Sequence, residues 1–512
     1  MRRLLVIVSF LLIACQAITS LTPASPVISQ PPPSSIPFQT TSPTFAPAPT
    51  ATPTPQAKNE FSVRLHPDGS LYVGDQVSIE VISPDDVDLE EKNVRVQVSG
   101  ESPNNLGSSG FEGYGIGGRM QATFNWVWDT THLESGEYQF EFAVQPDGPT
   151  WKETVTLLPA VKVPSPEPQA RWETIVLECC EVHFITGTEF ARNLPELLDL
   201  IEQQAKDAVQ RIGIEFDERI PITALPRVLG HGGFASNEIY VSYSDSNYAG
   251  NDLSQVLHHE MIHILNGRLG GEVRPPLLVE GLAVYLSDGH FKKEPLHQKA
   301  GVLIDLGWYL PLTQLADSFY TSQHEIGYLE GGALVQFMVT RYGWQAFNDF
   351  YRDIQPHPSG EQSQALDQAL QNHFGLTLEQ LEGRFKTALF RQHTNPEMHD
   401  DLFLTIAYYE AVRRYQQMLD PSAYFLTAWL PAGDQMRQRG IVADYLRRPS
   451  TPENHAIEEL LVEVDKQLRA GNYIEAEKAL LMVNDKLTQT QDNVLVGSVV
   501  PFLFQRTDIG LE

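Results

Sequence analysis

Apolar and polar residues alternate in Phe61-Ser62-Val63-Arg64-Leu65, Val77-Ser78-Ile79-Glu80-Val81, Val94-Arg95-Val96-Gln97-Val98 and Tyr138-Gln139-Phe140-Glu141-Phe142. A period of two places the apolar set on one face of a strand. Turn signals such as Pro67-Asp68-Gly69 and Pro146-Asp147-Gly148 fall between these runs. Residues 59–163 are therefore expected to be all-β. After a short linker from Pro164 to Arg171, Thr174-Ile175-Val176-Leu177 and Val182-His183-Phe184-Ile185 predict strand. A helix follows, with Leu194, Leu197, Leu198, Ile201, Ala205, Ala208 and Val209 on its apolar side. Glu238-Ile239-Tyr240-Val241-Ser242-Tyr243 reads as another strand. Asp252 is a candidate N-cap with Gln255 three positions on, and Leu253, Val256, Leu257, Ile264 and Leu265 recur at helical spacing. Gly267 and Gly270-Gly271 can end that helix, and Pro275-Pro276 break the chain before a second short one. From Tyr328 onward the pattern is helical, through Leu366-Asp367-Gln368-Ala369-Leu370 and Leu378-Glu379-Gln380-Leu381-Glu382.

The first of these central helices carries chemistry. It reads His259-Glu260-Met261-Ile262-His263, and Leu278-Val279-Glu280-Gly281-Leu282-Ala283 follows. Residues four apart share a helix face, so His259 and His263 can grip one Zn²⁺. Glu260 leans toward the same place but sits one residue off the ligand stripe, which suits a general base acting on water at the metal. A third ligand must come from elsewhere, and Glu280 is the best offer. Three protein ligands leave one position open, as a catalytic zinc requires. A core helix with two satisfied histidines is the bland alternative. His258 faces another direction and is read as a half-exposed polar residue rather than part of the site.

These residues resemble the gluzincin metallopeptidases, specifically the peptidase MA-like group, distant relatives of the M1 aminopeptidases. The resemblance covers roughly residues 173–395 and implies an α+β zincin-like metallopeptidase domain. It makes His259, His263 and Glu280 ligands of one catalytic zinc and Glu260 the general base. Tyr328-Leu329-Glu330-Gly331-Gly332-Ala333 is similar to the segment whose tyrosine stabilises the oxyanion, which gives that role to Tyr328; an ordinary helix-start aromatic is the other reading. His324 is a nearby candidate donor. Departures from the family are clear. No G-x-M-E-N segment for the substrate amine is present, and Gly233-Phe234-Ala235-Ser236-Asn237-Glu238 occupies about that place without matching it. Val284 stands where a thermolysin-like second-sphere Asp would be, leaving Asp288 as a loose candidate to orient the histidines. In zincins an edge strand lies along the cleft and pairs with extended peptide, a role expected here for the 238–243 strand.

Met1-Arg2-Arg3 precedes an apolar run from Leu4 to Ala14, then Cys15. Residues 1–14 thus read as a secretory signal, too short to span a bilayer as a helix. Leu12-Ile13-Ala14-Cys15 resembles the lipobox of bacterial lipoproteins, which implies acylation of Cys15 and a lipid anchor in a bacterial membrane, on its extracytoplasmic side. Residues 15–58 carry the anchor cysteine and a Pro/Ser/Thr-rich tether that would reach about 100 Å if extended. The chain has 512 residues, 65 acidic against 36 basic, and a formal net charge of −29. Such a field repels phosphate backbones, so nucleic acid is not an expected partner. Cys179 and Cys180 are read as neighbours on one strand pointing to opposite faces, with no disulfide framework.

The whole chain is thus expected to be multidomain. An Ig-like β-sandwich at 59–163 precedes the metallopeptidase domain at 173–395 and an all-α C-terminal region at 396–512. In the sandwich, Gly113-Tyr114-Gly115-Ile116-Gly117-Gly118 fits G-x-G-x-x-G literally, but it lies among strands with no helix following and reads as a strand connection. In the tail, Ala470-Gly471-Asn472-Tyr473-Ile474-Glu475-Ala476 looks like the turn of one tetratricopeptide-type hairpin. One hairpin is not an array, and a cap packed on the catalytic domain is the preferred reading. The expected activity is hydrolysis of a peptide or protein substrate. A non-catalytic adhesion or scaffold lipoprotein with a structural zinc, and a zinc hydrolase of a non-peptide cell-wall amide, are the alternatives. Oligomeric state is not legible.

Overall fold

The alternating N-terminal runs become strands whose apolar faces share one core. The computed structural model describes residues 61–84, 87–99, 105–114, 119–244, 247–250, 252–269, 271–420 and 433–494. The signal, Cys15 and tether expected at 1–58, and residues 115–118 of the glycine-rich stretch, lie outside the described residues. Nine strands build the first part: β1 (Ser62–His66), β2 (Leu71–Tyr72), β3 (Gln76–Ile82), β4 (Asn93–Val98), β5 (Asn105–Gly110), β6 (Glu112–Tyr114), β7 (Arg119–Asp129), β8 (Gly136–Gln145) and β9 (Thr150–Leu158). They form a four-stranded sheet in the order β1-β3-β7-β6 and a five-stranded sheet in the order β2-β9-β8-β4-β5. Val77, Ile79, Val81, Val94, Val96, Phe140 and Phe142 are all buried in the core between them, as period-two patterning requires.

The second part begins with β10 (Trp172–Val176), β11 (Cys180–Ile185), α1 (Glu189–Arg192) and α2 (Leu194–Ile212), followed by β12 (Ile220–Leu225), β13 (Gly233–Ala235) and β14 (Ile239–Ser242). The sheet order is β10-β11-β12-β14-β13. β11, β12 and β14 run parallel, whereas β10 and β13 are antiparallel to their neighbours. Two expectations are corrected here. The strand at 239–242 is interior, and the edge is the three-residue β13, too short and too glycine-rich to stand out by periodicity. Cys179 and Cys180 do not point apart from one strand: they form a disulfide. The pair closes the β10–β11 connection, where Leu177 N–H donates to Cys180 O, and the chain there is turning rather than extended.

Helices follow: α3 (Leu253–Leu269), α4 (Pro276–Leu286), α5 (Leu296–Asp305), α6 (Leu312–Ser318), α7 (His324–Tyr342), α8 (Trp344–Arg352), α9 (Gln362–Phe374) and α10 (Leu378–Leu389). Asp252 caps α3 as expected, its carboxylate accepting from Ser254 N–H at 2.9 Å. The helix runs through Gly267 rather than stopping there. Nor is α3 one-faced: Leu257, Met261, Ile262 and Leu265 are all buried, because the sheet packs on one side and α4 on the other. Pro276 starts α4 at a position where the missing N–H costs nothing.

The tail, α11 (Pro396–Met418), α12 (Gly433–Arg439), α13 (Ala443–Leu446), α14 (Pro452–Arg469) and α15 (Tyr473–Val494), is not set apart. Tyr408, Tyr409, Val412, Leu461 and Leu480 share a core with Val228, Tyr248 and Phe291 of the second part. Met436, Ile441 and Tyr445 pack with Trp126 of the first part and Ile185, Leu225 and Tyr240 of the second. Buried Arg447 reaches Asp75 at 2.7 Å and also pairs with Glu167. The described residues accordingly all fall in one compact unit.

Candidate metal centre

One helical turn brings His259 and His263 together on α3, and α4 presents Glu280 to both. His259 Nε2 and His263 Nε2 lie 3.0 Å apart. Glu280 Oε2 is 3.4 Å from the first and 3.1 Å from the second. Among the described residues this is the one cluster of His, Cys, Asp and Glu whose donor atoms converge enough to hold a metal ion. Ligands about 2.0 Å from a tetrahedral ion are about 3.3 Å from one another, so the three separations fit the edges of a zinc site. Two imidazoles and one carboxylate are also a donor set that suits zinc.

Two helices are locked at this point by glycines. A Cβ on Gly281 would lie 2.5 Å from Gly331 O, and one on Gly331 would lie 3.0 Å from Leu277 O. α4 and α7 thus touch backbone to backbone. The contact sets Glu280, one residue before Gly281, against Tyr328, three residues before Gly331.

The surrounding electrostatics are strong. Burial pulls the His259 imidazole down to about 4. Burial acts the same way on His263, but Glu280 outweighs it and lifts the ring to about 9. Burial would raise Glu280, yet His263 and His259 together hold it well below the usual carboxylate range. Burial pushes Glu260 up to about 7, against the pull of His263. A dication among these groups requires both rings neutral and draws Glu260 toward its ionised form. Glu260 takes a backbone hydrogen bond from Ala235 of β13, which places the base beside the edge strand.

Tyr328 lies where the resemblance implies. Its ring centroid is 6.1 Å from that of His259, and its hydroxyl is in hydrogen-bond reach of Glu280. Burial, then Glu280, hold the phenol well above its usual range, so it stays a neutral donor. His324 is 4.4 Å from Tyr328, ring to ring. Asp288 pairs instead with Arg211 at 2.8 Å and does not reach the histidines. His258 is outside the centre but buried rather than half-exposed, with Ser287 Oγ at 3.0 Å and Asp207 at 3.2 Å.

The structure adds residues that the sequence pattern did not single out. Tyr320, on a 3₁₀ turn between α6 and α7, donates to Glu280 Oε1 at 2.7 Å. His290 follows α4 and sits 6.1 Å from His259 and 4.3 Å from Tyr328, ring to ring; its Nδ1 meets Glu325 Oε2 at 2.6 Å. His231 lies 4.0 Å from His324 and 4.7 Å from Tyr409, and Arg413 donates to its Nε2 at 2.8 Å. Tyr409 and Arg413 belong to α11, so the tail lines the site. Of the histidines gathered here, only His324 is singled out in the sequence; His231 and His290 lie in separate loops with no pattern to mark them.

No family model matches this chain, and no curated protein matches it. Among solved structures it is similar to the crystal structure of the aminopeptidase N family protein from Idiomarina loihiensis. The likeness covers 66% of this chain and 78% of that one, with 12% identity and a TM-score of 0.26. An overlap this slight does not establish a shared fold, and the chemistry rests on the residues themselves.

Proposed function

We propose that this protein is a zinc-dependent metallopeptidase. The observation that carries the reading is the convergence of His259, His263 and Glu280 at separations of 3.0, 3.1 and 3.4 Å, with Glu260 buried beside them. The mixed sheet with an antiparallel edge strand next to α3 supports a zincin-like domain, and the paired N-terminal sheets support an Ig-like sandwich. A bound zinc ion supplies Lewis acidity, lowering the pKa of water and polarising a carbonyl. Glu260 takes the proton from the attacking water and passes it to the leaving amine. Tyr328 offers its O–H to the oxygen that gains negative charge. β13 presents a backbone edge to an extended peptide. A buried glutamate beside the ligands is costly to keep and has no use in a scaffold. On the sequence pattern alone, the protein is exported and held at a bacterial membrane by lipid on Cys15.

The test is turnover of a mixed peptide library by the zinc-loaded protein. Glu260→Gln should keep one zinc per chain and lower kcat by about a thousandfold or more; His263→Ala should lose the metal. Full activity in the Gln variant sinks the mechanism.

A further inference from the structure

We infer that His231, His290 and His324, backed by Arg413, form a subsite for a carboxylate of the substrate. The preferred peptides then bear an acidic side chain or a free C-terminal carboxylate close to the cleaved bond. The inference rests on the metallopeptidase reading and names its substrate class.

The three rings and Arg413 are half-buried as residues, with Nδ1 of His231 and Nε2 of His324 on their buried sides. They run as a wall away from the metal centre: His290 stands 6.1 Å from His259, His324 stands 4.9 Å from His290, and His231 stands 4.0 Å from His324. Extended peptide advances about 3.4 Å per residue, so the wall faces groups one or a few residues from the scissile bond. Its chemistry is that of donors. Glu325 engages Nδ1 of His290, and the opposite nitrogen has no hydrogen bond among the described residues. Arg413 is a permanent cation and orients His231 through Nε2, which leaves the proton on Nδ1. That Nδ1 and Nε2 of His324 are both buried and have no hydrogen-bond partner among the described residues.

The converse holds for acids. An amine-binding site needs an ionised carboxylate facing the cleft. Glu325 is buried and engaged by His290. Glu238, which ends the segment in the place of the family's amine-binding motif, is buried too; Arg437 holds it at 2.7 Å, and Thr223 donates to it. Glu410 on α11 accepts from Gln323 at 3.2 Å. Burial, then Arg413, hold His231 neutral, and burial, then His231, hold His324 neutral, so the wall offers neutral imidazole N–H donors beside one guanidinium in a chain of net charge −29. Charge-assisted hydrogen bonds to a carboxylate are the strong ones.

The experiment compares kcat/KM of the zinc-loaded full chain on peptides matched except for Glu against Gln near the cut, and for a free C-terminus against its amide. Calorimetric binding of N-acetylglutamate against N-acetylglutaminamide, which lacks both of its carboxylates, is the second readout. The expected result is a preference for the carboxylate of about tenfold or more, falling toward unity in Arg413→Gln and in His290→Gln. Preference confined to one peptide arm identifies the source, side chain or terminus. A ratio near one in the wild type, or a ratio unchanged in both variants, overturns the subsite. If no peptide is cleaved, the metallopeptidase reading fails and the calorimetric ratio alone decides the subsite.

Discussion

Glu280 is held by more than the two histidines. Tyr320 donates to Oε1, leaving Oε2 turned toward His259 and His263. Partners that orient a metal ligand typically change affinity 10–100-fold when removed. Tyr320→Phe should therefore raise the zinc dissociation constant about tenfold or more, as read by competition with a chelator; unchanged affinity would show that the hydroxyl does not position Glu280. At this scale the shared facing of His259 and His263 was legible because a helix repeats every 3.6 residues, so four-residue spacing alone puts them on one face. Glu260 was legible from its place one residue off that face, and Glu280 as the best third donor downstream; Tyr328 was singled out through family resemblance. Tyr320 and His290 were not, since they arrive from a 3₁₀ turn and a loop, where no period ties spacing to direction.

Between elements, the backbone contact of α4 with α7 matters most. Gly281 and Gly331 have no room for a side chain at the crossing. Gly281→Ala should force the helices apart and cost about 1–3 kcal/mol, seen as a lower Tm together with weaker zinc binding. A Tm equal to wild type would mean that α7 yields freely. This explains in physical terms why a glycine follows Glu280 and another follows Tyr328 at a distance of three. Strands with clean alternation, such as β3 and β4, could be read directly. β13 could not, because three residues carry no period, and its place at the edge depends on pairing with β14. The disulfide at Cys179 and Cys180 was also hidden, since it depends on the local backbone of a turn.

Across the whole molecule, the tail is part of the working unit. α11 supplies Tyr409 and Arg413 to the site, and α13 places Asp444 in a buried position between the first two parts. Composition marked residues 396–512 as helical, but packing partners more than 100 positions away leave no trace in local pattern. Burial, opposed by His66, raises Asp444 to about 7, against about 3.9 unfolded. The folded state binds this proton more tightly, so the stability it contributes is full below about pH 4 and lost as pH rises to about 7. Asp444→Asn should thus stabilise the fold by about 2 to 4 kcal/mol at pH 8 and by only about 1 at pH 5. Urea unfolding at the two pH values checks this, and an equal gain at both would contradict it. The central claim, that three side chains from α3 and α4 hold one catalytic zinc, is tested most directly by anomalous diffraction at the zinc edge. The account predicts a single peak about 2.0–2.2 Å from His259 Nε2, His263 Nε2 and a Glu280 oxygen. A zinc-soaked crystal with no peak there, or with its peak elsewhere, would contradict it.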